Sequence, residues 1–336
     1  MADKINITQI GVGYWGPNLL RNLMANQSCE VKTAVDLSEE RRDFVRGLYP
    51  LVAVSDKIDD VINDSEIDAV VITTPVASHF DLAMQFLEAG KHVLVEKPMA
   101  TTVEQVEEIG RLAEKKNLVA MVGHTFLYNA AVRYVKQLID SRILGDIRYI
   151  YSQRVNLGRI RSDVDALWNF APHDISIIQY WLGDPDPESV QSTGMDYVQN
   201  GVDDVVFLNI KYPNSIMANI HVSWLDPHKV RRMTVVGSKN MVVYDDLAEN
   251  KVAMYDKGID RMAILGEHMD FDHISRSNFS HRSGDVVFPK IEWEEPLKVE
   301  IEHFVDCIQN GTSCMTGVDH AKKVVSILET GSRSQV

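Results

Sequence analysis

The stretch that most limits the fold is Ile5 to Pro17, where an apolar run ending at Ile10 enters Gly11-Val12-Gly13-Tyr14-Trp15-Gly16 and Pro17 stands where a helix can open without an amide hydrogen. In such a loop the first Gly permits a tight turn and the second lets backbone approach a pyrophosphate. The third lets helix and strand pack closely, and the helix N-terminus adds amides and a positive dipole. A bare Gly-x-Gly-x-x-Gly is weak, but this one follows a strand, opens a helix and precedes a second strand, Val31 to Val35, that ends in Asp36. Asp36 lies 20 residues beyond Gly16, the spacing of a carboxylate that binds ribose hydroxyls. The expected dinucleotide site comprises Gly11, Gly13, Tyr14, Trp15, Gly16 and Asp36. A carboxylate at Asp36 would repel a 2′-phosphate and so favours NAD over NADP. Arg41 and Arg42 weaken that preference unless they line a solvated helix face.

The alternation of strands and helices continues through Ala69 to Thr73, a helix after Ser78, and the strand Val93 to Val95 that runs into Glu96-Lys97-Pro98. Thr101 and Glu104 have the spacing of a capping box, and Leu118 to Val122 reads as a sixth strand. Strands alternating with helices imply a doubly wound parallel sheet, a Rossmann fold, over residues 1–123. Strand ends of such sheets hold ligands, which places Thr73, Thr74, Pro75, His79, Glu96, Lys97 and His124 at the cofactor edge. His79 equally suits a solvated or capping position, and Glu96 with Lys97 a solvated charge pair.

In residues 124–336 a helix marked by Val132, Val135, Leu138 and Ile139 comes first, then from Asp146 to Tyr244 strands joined by turns, and last two helices read as structural, Val299 to Gln309 and Val318 to Glu329, which predicts an α+β domain with a large, mostly antiparallel sheet. One face of that sheet needs a cover, so a homodimer or homotetramer formed through it is expected. A helix opening at Ala171-Pro172-His173-Asp174 interrupts the strands. A helix N-terminus disfavours imidazolium, so His173 there would stay neutral and able to accept a proton, unless it only caps the helix.

Composition narrows the partners. A net charge of −14 argues against nucleic acid, whose phosphates need a basic surface. No apolar run approaches the ~18 residues of a membrane span, and Met1 to Asn6 lacks a signal-peptide core, so a cytoplasmic location is expected. Cys29, Cys307 and Cys314 have no zinc-site or disulfide spacing. Glu267-His268-Met269-Asp270 with Asp272 and His273 offers metal-ligand types in a polar run, Gly258 to Gly284, that reads as a solvated loop, so no metal is expected.

The combination of Gly11, Gly13 and Gly16, then Glu96-Lys97-Pro98, then Pro172-His173-Asp174 resembles the glucose-fructose oxidoreductase, inositol dehydrogenase and MocA family over nearly the whole chain. The resemblance implies that Lys97 and His173 are a catalytic pair beside the nicotinamide of NAD, and that the bond before Pro98 is cis. Many members carry Asp where this chain has Asn169. The branch that oxidises C3 of nucleotide sugars is similar in having Asn there, and in an Arg-x-Asn like Arg154-Val155-Asn156. Arg154, Arg159 and Arg161 concentrate positive charge in an acidic chain, and arginine forks suit a diphosphate. The resulting substrate set is Lys97, Tyr128, Arg154, Asn156, Arg161, Asn169 and His173, with a UDP-N-acetylhexosamine or its uronate as expected substrate. A free polyol or inositol dehydrogenase and a catalytically silent NAD-binding regulator are the alternatives.

Overall fold

A computed structural model describes residues 4–261 and 279–333. The strands are β1 (Ile5–Ile10), β2 (Cys29–Val35), β3 (Ala53–Ser55), β4 (Ala69–Ile72), β5 (His92–Glu96), β6 (Ala120–Gly123), β7 (Ile147–Val155), β8 (Ser189–Met195), β9 (Val205–Tyr212), β10 (Ile216–Ser223), β11 (Val230–Gly237), β12 (Met241–Asp245), β13 (Val252–Arg261) and β14 (Phe279–Val287). The helices are α1 (Gly16–Ala25), α2 (Glu39–Leu48), α3 (Asp59–Ile62), α4 (His79–Glu88), α5 (Val103–Lys116), α6 (Ala130–Asp140), α7 (Ala166–Leu182), α8 (Pro296–Asn310) and α9 (Val318–Arg333).

Two compact units emerge. The first holds residues 4–130, Leu167–Asp184 and 293–333; the second holds Ala131–Ala166 and the described part of Pro185–Glu292. Compactness therefore does not follow a single cut after Gly123, because α7, α8 and α9 return to the first unit.

In the first unit six parallel strands take the order β3-β2-β1-β4-β5-β6. This is the doubly wound order, whose direction reverses between β1 and β4, where such sheets bind ligands beyond their carboxyl ends. Every residue of β4 and β6 is buried, as expected of strands covered on both faces. One core joins Val70, Ile72, Val93 and Val95 of the sheet to Phe86 of α4, Ile109 of α5 and Val325 of α9.

The second unit carries eight strands in the order β14-β13-β12-β11-β7-β10-β9-β8. All neighbours are antiparallel except β7 with β10. The period of two is plain in β9, where Val206, Leu208, Ile210 and Tyr212 are buried and the intervening residues are not.

Three local expectations need correction. The helix around His173 starts at Ala166, with Pro172 inside it, so His173 stands in the second turn and the dipole argument for its neutrality lapses. Pro172 lacks the amide that would have bonded the Trp168 carbonyl, so it perturbs the helix without ending it. Regular strands also occupy both ends of the polar run Gly258 to Gly284, as parts of β13 and β14; the segment Glu267 to His273 lies outside the described residues. The cap of α5 is Thr102, whose hydroxyl accepts from the Gln105 amide at 3.2 Å, while Thr101 bonds the Gln105 side chain.

Among the described residues no helix is long and apolar enough to cross a membrane. The shifted cap is testable by chemical denaturation. Thr102→Ala should cost about 1 kcal/mol, and Thr101→Ala, which removes only an exposed bond, less than half as much; the reverse order would return the cap to Thr101.

Candidate active site

The glycine loop is shaped by steric need at two positions and by open space at a third. Gly11 has φ +90°, and a Cβ there would lie 3.0 Å from the Thr73 carbonyl group. A Cβ at Gly16 would lie 2.8 Å from both the Gln9 amide nitrogen and the Gly11 oxygen. At Gly13 a Cβ would meet nothing within 4 Å. Backbone there is bare beside space, which suits the approach of a pyrophosphate and fits a dinucleotide. Tyr14 and Trp15 are exposed at the loop tip.

Gln9 holds this loop. Its side-chain amide donates to the carbonyls of Gly11 and Gly16, each at 2.9 Å, and the Thr73 hydroxyl donates to Gly11 from β4's end. Sequence reading passed over Gln9, although a fully buried glutamine in an apolar strand was a signal in itself.

Asp36 accepts from the Val12 amide at 2.7 Å and the Ser38 amide at 2.9 Å, one bond on each oxygen. A carboxylate has about four acceptor sites, so capacity for ribose hydroxyls remains. Arg42 is not on a solvated face as its sequence position allowed. It is buried, donates to the carbonyls of Asp36 and Leu37 at 2.6 and 3.0 Å, and pairs with Glu39. Its guanidinium is thus committed to this chain's own backbone.

On the other side of the loop, Thr74 and Pro75 leave β4 and are tied back by His79. The His79 ring is buried, with Nδ1 2.8 Å from the Pro98 carbonyl and Nε2 2.8 Å from the Thr74 carbonyl. Burial pulls this imidazole toward the neutral form, against the two carbonyls and with help from the Lys97 charge. His79 therefore straps the Thr74 loop to the turn after Lys97 instead of presenting a ring to cofactor.

Lys97 stands one residue past β5, and the bond to Pro98 is cis. Its ammonium donates to the main-chain carbonyl of Asn169 at 2.9 Å. Asn169 and His173 are four apart on α7, hence on one face and about 6 Å along the axis. The His173 ring packs edge-on against Phe126, with centroids 5.1 Å apart. The two expected catalytic side chains thus belong to one compact unit, in which α7 sets Asn169, one helical turn before His173, against the Lys97 ammonium.

Glu96 faces Gly123 across the sheet, and a Cβ at Gly123 would sit 3.2 Å from its carboxylate. Burial raises its pKa, opposed by the Lys97 charge, the Lys97 amide and the Trp15 side chain. Glu300 of α8 is likewise pushed well above the usual carboxylate range, first by burial and then by Glu96, and accepts from the Thr125 hydroxyl at 2.8 Å. Sequence reading treated α8 as purely structural and so missed Glu300, a charged side chain on a face shared with Leu297, Ile301 and Phe304. His124 is buried, and burial with the charges of His320 and Lys97 keeps it well below its ordinary pKa.

Tyr128 does not present a hydroxyl to a ligand. It is buried, with its hydroxyl 2.9 Å from that of Thr316 and its ring against His303. In the second unit, Arg154 is buried on β7, not on a solvated strand; Asn156 follows that strand, and Arg161 forks onto Asp163.

The glycines separate fold from binding. Gly13→Ala should leave the melting temperature within about 2 °C yet weaken cofactor binding at least tenfold by fluorescence titration, whereas Gly11→Ala, strained at positive φ, should cost about 1–3 kcal/mol of stability. Equal affinity in Gly13→Ala and the parent chain would remove the pyrophosphate from this loop.

Comparison with known proteins agrees with this arrangement. Residues 5–124 match the family described as an oxidoreductase family with an NAD-binding Rossmann fold, and residues 132–243 match the GFO/IDH/MocA C-terminal domain. The scyllo-inositol 2-dehydrogenase (NADP(+)) IolW of Bacillus subtilis is 32% identical over 172 residues, 50% of this chain and 45% of that protein. A 2,7-anhydro-N-acetylneuraminate hydratase of Mediterraneibacter gnavus is 24% identical over 329 residues, covering 94% and 86%. The UDP-N-acetylglucosamine 3-dehydrogenase of Acidithiobacillus ferrooxidans is 28% identical over 195 residues, 58% and 60% of the two chains. Its crystal structure superposes with a TM-score of 0.80 at 22% identity over 99% and 98%. The chain spans between 45% and 60% of the length of the first three curated relatives it matches. With both halves matched by its domains, the chain belongs to the GFO/IDH/MocA oxidoreductase family.

Proposed function

We propose that this protein is an NAD-dependent dehydrogenase that moves a hydride between nicotinamide and a sugar hydroxyl or ketone, with C3 of a UDP-N-acetylhexosamine or its uronate as the favoured position. The observation that carries the reading is the Lys97 ammonium held 2.9 Å from the Asn169 carbonyl, one helical turn from His173. A cation and an imidazole so held are the pair that alcohol oxidation needs. Bound at the glycine loop, the cofactor supplies hydride acceptance at its nicotinamide.

The rest falls to this chain's side chains. His173 accepts the hydroxyl proton as general base, a role worth about 10²–10⁴-fold. Lys97 stabilises the developing alkoxide, worth about 3–4 kcal/mol in comparable oxyanion sites. The Asn169 carbonyl that orients this ammonium is neutral, so it directs the charge without cancelling it. Arg42's engagement with Asp36, Leu37 and Glu39 supports NAD, since a 2′-phosphate would have to displace those partners. The nucleotide-sugar preference is supported by the Asn at 169 and by the name of the A. ferrooxidans relative. Arg154, Asn156 and Arg161 are the groups assigned to the diphosphate, Arg161 exchanging Asp163 for it.

A homo-oligomer is also proposed. Tyr149 and Tyr151 of β7, Phe207 of β9 and Met217 of β10 stand exposed on one face of the second unit's sheet, where Phe207 stacks on His221 at 4.3 Å. Acidic net charge would otherwise keep copies apart, so an apolar face of this size favours a second copy of the same sheet.

The decisive assay is NADH formation with UDP-N-acetylhexosamines against free inositols. Turnover should appear with the nucleotide sugar and fall at least 100-fold in Lys97→Ala with NAD affinity kept; Arg154→Met should raise KM for the nucleotide sugar only. Turnover of inositol alone selects the polyol reading, and binding of NAD with no turnover on any sugar selects the regulator. Light scattering should give two or four chains per particle, and Tyr151→Glu with Phe207→Glu should return it to one.

A further inference from the structure

A second cluster of reactive side chains lies in the first unit, apart from Lys97 and His173. His303 and Cys307 are four residues apart on α8 and so share one helical face, and Cys314 stands on the loop that Gly311 opens at φ +67°. One nitrogen and two sulfur atoms of these three residues all lie within 4.8 Å of one another, with His303 Nε2 3.5 Å from Cys307 Sγ. We propose that His303, Cys307 and Cys314 form a binding site for a soft divalent cation of the zinc class, joining α8 to the loop before α9.

The donor set is the one zinc takes, two thiolates and an imidazole nitrogen. Around a tetrahedral ion with Zn–S near 2.3 Å and Zn–N near 2.0–2.1 Å, ligand atoms stand roughly 3.5–3.8 Å apart. A contraction of about 1 Å or less therefore closes the site, and the Cys307–His303 pair already has that spacing.

The imidazole offers its lone pair before any ion arrives. The Met315 amide donates to His303 Nε2 at 3.0 Å, so that nitrogen carries a lone pair and the proton sits on Nδ1. Loading then balances simply: the ion binds the His303 lone pair and both sulfur atoms, Cys307 and Cys314 each give up a proton to solvent as they ligate it, and the Met315 amide exchanges its acceptor. No electron is transferred.

Three protein ligands leave a fourth position. Cys307, Cys314 and Met315 line a cleft of about 1050 Å³ whose wall also includes Asp184 and His320, so water can reach the ion and the ion can exchange. The loop is tied to β6, since the Val122 amide donates to the Thr316 carbonyl at 2.9 Å and Met121 bridges to Gly317. An ion here would stiffen the strand that leads into His124.

The test uses the full chain, reduced and freed of metal by chelator, titrated with Co²⁺ and then Zn²⁺. One equivalent of Co²⁺ should give thiolate charge-transfer and tetrahedral d–d bands that Zn²⁺ abolishes, with affinity rising with pH as the thiols give up their protons. Cys314→Ser and His303→Gln, each checked for fold by circular dichroism, should weaken binding at least about tenfold. Cys307 is buried and its serine variant is the one most prone to unfold, so these two substitutions decide the matter. Absent bands, bands unchanged in both variants, or a Cys307–Cys314 disulfide persisting after reduction would overturn the site.

Discussion

The hydrogen bond from the Lys97 ammonium to the Asn169 carbonyl organises the rest of the site. It spans 72 residues and joins the edge of a parallel sheet to a helix that enters the chain only after a strand of the other sheet. An ammonium is expensive to desolvate, and a neutral carbonyl offsets only part of that cost. What remains is a charge held in place and still able to act on an oxygen brought beside it.

Around that bond the backbone is over-determined. Gln9 and Thr73 fix the glycine loop from two strands, and His79 ties the Thr74 loop to the turn at Pro98. These are side chains that bond backbone, and buried carbonyls left without them would cost about 1–3 kcal/mol each. They position, whereas Gly13, Asp36 and Lys97 present themselves. Half-buried Glu96 and buried Glu300 both have pKa values raised by desolvation, Glu300 well above the usual carboxylate range.

Much of the first unit was legible residue by residue. Gly11 and Gly16 are required by close approach, Asp36 by its distance from Gly16, and the strands ending at Ile72 and Glu96 by their apolar runs. Most strands of the second sheet were legible too, because a half-covered antiparallel sheet writes its period of two into the sequence. Neither β13 nor β14 was, since exposed strand pairs need no apolar alternation. Nor was the start of α7: Pro172 reads as a first-turn proline, and only packing, including the 2.9 Å bond from Trp168 to Ser332 of α9, shows the helix continuing ahead of it.

By itself, then, the amino-acid sequence determined the doubly wound sheet and the glycine loop, because each depends on local periodicity or fixed spacing, while the pairing of Lys97 with His173 was an expectation carried by the family resemblance. Tertiary structure decided what long-range contact alone can decide. It gave α7 to the first unit, turned Tyr128 toward Thr316 and away from a ligand, occupied Arg42 with backbone, and gathered His303, Cys307 and Cys314 into one cluster. The physical reason is that a side chain's role follows from which polar groups surround it after folding, and those groups come from segments whose separation in sequence carries no mark of their meeting.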